Sequence, residues 1–136
     1  TAYQDIIDFA GVKGELGKVV AGGAMMGPAV ENLSYPTTKT TSGLIMLSAA
    51  AAEPPQVNPC IRCGRCVEYC PMGLEPVEVN QAYAARDVQE LGKLHVDYCF
   101  NCGSCTFVCP AKRPCTQMMG LAKAFYLGEI KKGGNK

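Results

Sequence analysis

The sequence predicts an α+β chain in two parts, the first mixing a helix with two or three strands and the second built mainly from helices. Three observations lead there. All nine cysteines lie within residues 60–115, and none within residues 1–52. Between the two regions, residues 53–59 hold Pro54, Pro55 and Pro59, which favour extended backbone and forbid a helix interior, so this segment reads as a linker. Finally, the second region repeats itself with a period of 39 residues, the offset from Cys60 to Cys99. Residues 60–130 are thus expected to form one helical domain, and residues 131–136 a flexible polar tail.

In the first region, Ile6, Ile7 and Phe9 set a short helical pattern over Tyr3 to Ala10 that Gly11 ends. Lys18 to Ala21 is a β-branched run stopped by Gly22-Gly23, and Thr40 to Leu47 is the second strand candidate. These are too few elements to close a stable sheet, so the region reads as the tail of a small α+β domain whose other strands precede Thr1. The absence of an initiator Met fits the same expectation. In the second region, Glu75 to Leu91 reads as one helix, with Pro76 at its first position, Glu75 and Glu78 near its positive end, and Val77, Ala84, Val88 and Leu91 on one face. A last helix carries Met118, Leu121, Ala122 and Phe125 at helical spacing until Gly128.

Composition narrows the function classes. With 13 basic against 12 acidic residues, the chain lacks the electrostatic footprint of a nucleic-acid binder. Its uncharged stretch Thr40 to Ala52 has 13 residues, short of the roughly 20 that span a bilayer. Work at a membrane would therefore go through a partner. Nothing reads as a signal peptide, and the cysteine spacing is wrong for a secreted disulfide scaffold.

Each repeat reads C-x2-C-x2-C-x3-C-P: Cys60, Cys63, Cys66, Cys70 and Pro71, then Cys99, Cys102, Cys105, Cys109 and Pro110. Bacterial two-cluster ferredoxins use this ligand run. Three thiolates two residues apart on a tight loop can reach three irons of one cubane, while the loop amides point at its sulfides. The fourth cysteine, where the chain leaves the loop, ligates the other cluster in two-cluster proteins. On that logic one 4Fe-4S cluster takes Cys60, Cys63, Cys66 and Cys109, and the other takes Cys99, Cys102, Cys105 and Cys70. Gly64 and Gly103 permit positive φ inside the loops. A four-thiolate zinc site is the main competing chemistry, but it needs only four ligands and leaves the third and fourth cysteine of each repeat unexplained. Eight thiolates for two cubanes leave no iron open, which argues for outer-sphere electron transfer rather than substrate chemistry, so no catalytic residue is expected.

Smaller signals read plainly. Cys115, the odd thiol, reads as a small hydrophobe packed near the clusters, and His95 as a surface or hydrogen-bonded structural residue. The glycine-rich run Gly22 to Pro28 lacks the spacing of a phosphate or dinucleotide loop and reads as a turn. Lys112-Arg113 is a solvated pair or a small docking patch for an acidic carrier.

Gly22-Gly23-Ala24-Met25-Met26-Gly27, the Pro36-to-Gly43 segment with Thr38-Lys39, Cys60-Ile61-Arg62-Cys63-Gly64-Arg65-Cys66, Met72-Gly73-Leu74-Glu75-Pro76 and Lys112-Arg113-Pro114 together resemble the RnfC family, the C subunits of Rnf complexes, over nearly the whole chain. Ala24 departs from the proline usual in that family. The resemblance implies a peripheral subunit at the cytoplasmic face of the cell membrane, within an ion-translocating ferredoxin:NAD oxidoreductase. Its partners would be the other subunits of the complex and ferredoxin or another electron carrier. Residues 1–52 would then be the end of a β-grasp, soluble-ligand-binding domain, and FMN and NAD(H) would bind upstream of these 136 residues. A cobalamin reductase of similar build is the alternative within this class. A zinc-stapled interaction module and an oxygen- or iron-responsive sensor are the alternatives outside it.

Overall fold

The computed structural model of the chain describes residues 1–133. The chain divides into two compact units, Thr1–Pro55 and Gln56–Lys136.

The first unit holds α1 (Tyr3–Ala10), β1 (Leu16–Ala21), β2 (Leu44–Ser48) and α2 (Ala49–Ala52). Helix α1 ends where the Gly11 amide donates to the Ile7 carbonyl at 3.1 Å, with Gly11 at φ +68°. It buries Ile7 and leaves Phe9 94% exposed, so the predicted helix is present but its inward face is narrower than the pattern suggested. Strands β1 and β2 pair antiparallel, with Val19 opposite Met46 and Val20 opposite Ile45. Successive strand residues point to opposite faces, so the burial of both Val19 and Val20 means that both faces of β1 are covered. The glycine-rich run folds back along β1 as a turn: the Ala21 amide donates to Pro28 and the Val30 amide to Val19. Gly27 is obligatory there, because a Cβ would sit 2.5 Å from the Ala21 carbonyl oxygen. Helix α2 has no counterpart in the sequence reading. Ser48 starts it by accepting from the Ala51 amide, and Gly17, at an irregularity in β1, lets it approach.

The second unit runs α3 (Arg65–Glu68), α4 (Pro76–Ala84), α5 (Val88–Lys93), a 3-10 turn (Val96–Tyr98), α6 (Ser104–Phe107) and α7 (Cys115–Gly133). The repeat is structural: α3 and α6, and the starts of α4 and α7, are each 39 residues apart. The single helix expected over Glu75 to Leu91 is instead two. Arg86 turns left-handed at φ +57°, and Asp87 accepts from the Glu90 amide at 2.9 Å to start α5. Arg86 gains from the break, since its guanidinium lies over the rings of Tyr83 and Phe125 at 4.7 and 5.0 Å. The buried face of α4 is Pro76, Val79, Asn80 and Ala82, whereas Val77 is only partly buried and Ala84 is exposed.

Helix α7 does not stop at Gly128. It continues through Lys131 and Lys132, residues expected in the tail, with Lys132 paired to Glu129 at 2.7 Å. The helix ends at Gly133, and residues 134–136 of the expected tail lie outside the described residues. The buried face of α7 is Met119 and Ala122, while Leu121 is 49% exposed. Leu74, Val79, Leu91, Val96, Met119 and Ala122 form the core that joins α4, α5 and α7. Gly92 and Gly120 leave room for Tyr126 and Asn101 respectively.

Candidate metal centre

Both cysteine loops take the same backbone path. Arg62 and its repeat partner Asn101 are left-handed at φ +52° and +56°, and Gly64 and Gly103 follow at +77° and +88° as the residues that start α3 and α6. Gly73 and Lys112, the next equivalent pair, are also left-handed. Three positive-φ positions per repeat wrap each loop around its interior, and non-glycine residues rarely adopt this conformation unless the surroundings hold them. Only the two loop glycines were read from the sequence: Arg62 and Lys112 carry no local signal for it, and Asn101, of a residue type that tolerates the left-handed region, was passed over.

The loops open on two cavities. One, of about 280 Å³, is lined by Cys60, Cys63 and Cys66 of the first repeat together with Cys109 of the second, and also by Cys115, which lies outside both motifs. The other, of about 20 Å³, is lined by Cys99, Cys102 and Cys105 of the second repeat together with Cys70 of the first. All eight motif cysteines and Cys115 are unpaired thiols. The larger cavity has the room and the donor set for a cubane. The smaller one holds roughly the space of one water, and its fit rests on its donor set, four thiols lining one cavity. Among the described residues no three His, Cys, Asp or Glu side chains could hold a single metal ion.

The surroundings differ between the two. Arg62, Arg65 and Arg113 line the larger cavity, as does Asn80, whose Oδ1 is buried without a partner. Around the smaller one the polar groups are neutral: Ser104 Oγ lies 3.4 Å from Cys102 Sγ, and Thr116 Oγ1 lies 3.3 Å from Cys105 Sγ. The Arg62 amide donates to Cys60 Sγ and the Leu74 amide to Cys70 Sγ, both at 3.4 Å. Lys123 of α7 ties down the second loop by donating to the Cys99 carbonyl at 2.7 Å. Burial pushes the Cys66 and Cys105 thiols above their ordinary pKa, so their ionisation needs a compensating cation.

Cys115 opens α7 and packs against Cys66, Cys105 and Cys109 at 4% exposure. Burial, then the neighbouring Cys109, pushes its pKa up to about 12. It is expected to resist iodoacetamide at pH 7.5 in the folded chain and to react fully in urea, as read by mass spectrometry. In the iron-free chain this raised pKa also sets a pH dependence. Below about pH 9 the thiol is protonated whether the chain is folded or not, and stability is full. As pH rises toward 12 the unfolded state releases the proton first, so stability falls. Cys115→Ala should flatten that decline in urea midpoints measured between pH 8 and 11. His95 is exposed, starts the 3-10 turn and stacks on Tyr98 at 5.3 Å, and it lines neither cavity.

A 4Fe-4S dicluster domain model matches residues 59–112. The C subunit of an ion-translocating oxidoreductase complex from Rhodobacter capsulatus is 42% identical over 77 residues, covering 57% of this chain and 15% of the relative. The C subunit of a proton-translocating ferredoxin:NAD(+) oxidoreductase complex from Clostridium ljungdahlii is 44% identical over 77 residues, 56% of this chain and 17% of the relative. The C subunit of the Na(+)-translocating counterpart from Acetobacterium woodii is 37% identical over 87 residues, 63% of this chain and 19% of the relative. The chain thus spans less than a fifth of the length of these relatives. The expected resemblance holds: over the matched residues the chain is similar to these C subunits of ion-translocating oxidoreductase complexes, and residues 59–112 match a 4Fe-4S dicluster domain.

Proposed function

We propose that the chain relays electrons through two 4Fe-4S clusters, one held by Cys60, Cys63, Cys66 and Cys109 and the other by Cys99, Cys102, Cys105 and Cys70. The observation that carries this reading is the crossed grouping of the motif thiols, in which each cavity draws three from one repeat and a fourth from the other, the larger cavity being lined by Cys115 as well. A zinc staple would need four ligands converging on one point, whereas these thiols ring a cavity. Each bound cluster would supply a one-electron couple. The loops orient the sulfurs, α4 and α7 exclude water from the inner pair Cys66 and Cys105, and the loop amides offset negative charge.

The setting is a membrane-associated ferredoxin:NAD oxidoreductase coupled to ion transport, with the other subunits and ferredoxin or another carrier as partners. FMN and NAD(H) would bind in the part of the relatives that this chain does not span, and residues 1–52 would complete a β-grasp domain there. No helix among the described residues is long and apolar enough to cross a membrane, which is compatible with a peripheral place at the cytoplasmic face. The test is iron and acid-labile sulfide per chain after anaerobic purification, with an EPR spectrum after dithionite reduction. About eight of each, with two interacting centres, is the expected result. One zinc per chain and no sulfide would overturn the reading.

A further inference from the structure

The two repeats match in backbone but not in what touches the inner cysteine. In the second repeat Cys105 faces a pair of threonines, one on α6 and one on α7. The Thr116 amide, a first-turn donor with no partner inside its helix, donates to Thr106 Oγ1 at 2.8 Å. The Thr106 hydroxyl in turn donates to Thr116 Oγ1 at 2.9 Å. A threonine hydroxyl has one proton. Thr106 has spent its proton on Thr116, so the Thr116 proton is left to point elsewhere, and Cys105 Sγ is 3.3 Å away. As an iron ligand Cys105 is a thiolate and can only accept. In the first repeat the equivalent positions, 39 residues earlier, are Val67 and Val77, and Val77 packs against the cysteine cluster with no hydroxyl to offer.

We propose that Thr116, oriented by Thr106, donates a hydrogen bond to the Cys105 sulfur and thereby raises the reduction potential of the second-loop cluster, a contact the first-loop cluster lacks. This deepens the two-cluster reading and rests on it. Reduction adds negative charge, a donor to the ligand sulfur stabilises the reduced state more than the oxidised one, and burial of Cys105 strengthens that effect. No bond forms or breaks: the Thr116 proton stays on its oxygen, and the single electron comes from the reductant. Thr116 is therefore a positioning and tuning residue.

The test is an EPR-monitored potentiometric titration, with dithionite and mediators, of the full chain loaded with iron under anaerobic conditions. Thr116→Val should move one of the two midpoints to a more negative potential and leave the other in place, while Thr116→Ser restores the wild-type value. The pair Val67→Thr and Val77→Thr should move the other midpoint upward. A Thr116→Val chain that keeps its iron with both midpoints unmoved would overturn the proposal. If Thr116→Val loses iron, Thr116→Ala carries the test: it removes the same hydroxyl with less bulk, so an unmoved midpoint there overturns the proposal equally. Wild-type chain that binds no iron would instead sink the two-cluster reading, which keeps the two failures apart.

Discussion

Cys70→Ala is expected to strip iron from the cavity lined by Cys99, Cys102 and Cys105, and to spare the one lined by the other three cysteines of its own repeat. The reason is where the backbone places Cys70. It leaves α3 one turn after Cys66, its sulfur accepts from the Leu74 amide, and it faces the second loop beside Thr116 and Met119. Cys109→Ala should do the mirror image, because Cys109 lines the cavity of Cys60, Cys63 and Cys66. Each variant should retain about four irons of eight, with the EPR of a single isolated centre in place of an interacting pair. The two residual centres should also differ in midpoint potential, since one is ringed by arginines and the other by hydroxyls. Loss of the cluster on the variant's own loop would reject the crossed assignment while leaving the iron-sulfur chemistry standing.

The second large effect lies in the core that holds the loops together. Leu91 has no exposed surface and packs with Leu74, Val79, Val96 and Met119 at the junction of α4, α5 and α7. Leu91→Ala removes that burial and leaves a cavity, so it should cost about 2–5 kcal/mol. Leu91→Met, which keeps the volume, should cost less than about 1.5 kcal/mol. The measurement is the urea midpoint followed by far-UV circular dichroism under anaerobic conditions. Because α5 leads through the 3-10 turn directly into Cys99, the alanine variant should lose its second-loop iron at lower urea than its first-loop iron. Equal stability of the two variants would mean that the core is looser than its burial indicates.

Much of the site was legible in the chain itself. The cysteine run and its 39-residue repeat are local patterns, and a ligand loop is built from residues a few positions apart, so spacing alone shows which three thiols act together. The starts of α4 and α7, the end of α1 and the turn at Gly22 to Pro28 likewise follow from proline and glycine. The break at Arg86 was also written in the sequence, as Asp87 followed three residues later by Glu90, but the apolar spacing of Val77, Ala84, Val88 and Leu91 obscured it. Its cause is tertiary, since the stack of Arg86 on Tyr83 and Phe125 depends on α7 lying alongside.

What the sequence by itself determined is the chemistry: eight thiols in two equivalent runs, suited to iron-sulfur clusters. What only the tertiary structure decided is the environment of each thiol. The inward face of α7, Met119 and Ala122 rather than Leu121, depends on which helix packs against it. The left-handed turns at Arg62 and Lys112 are imposed by loop closure rather than by residue type. The threonine pair at Cys105 joins residues 10 apart on two helices, and its meaning appears only beside the valines of the other repeat. The physical reason is range: ligand spacing is set within one turn of chain, whereas burial and hydrogen bonding to a sulfur are set by neighbours that only packing brings near.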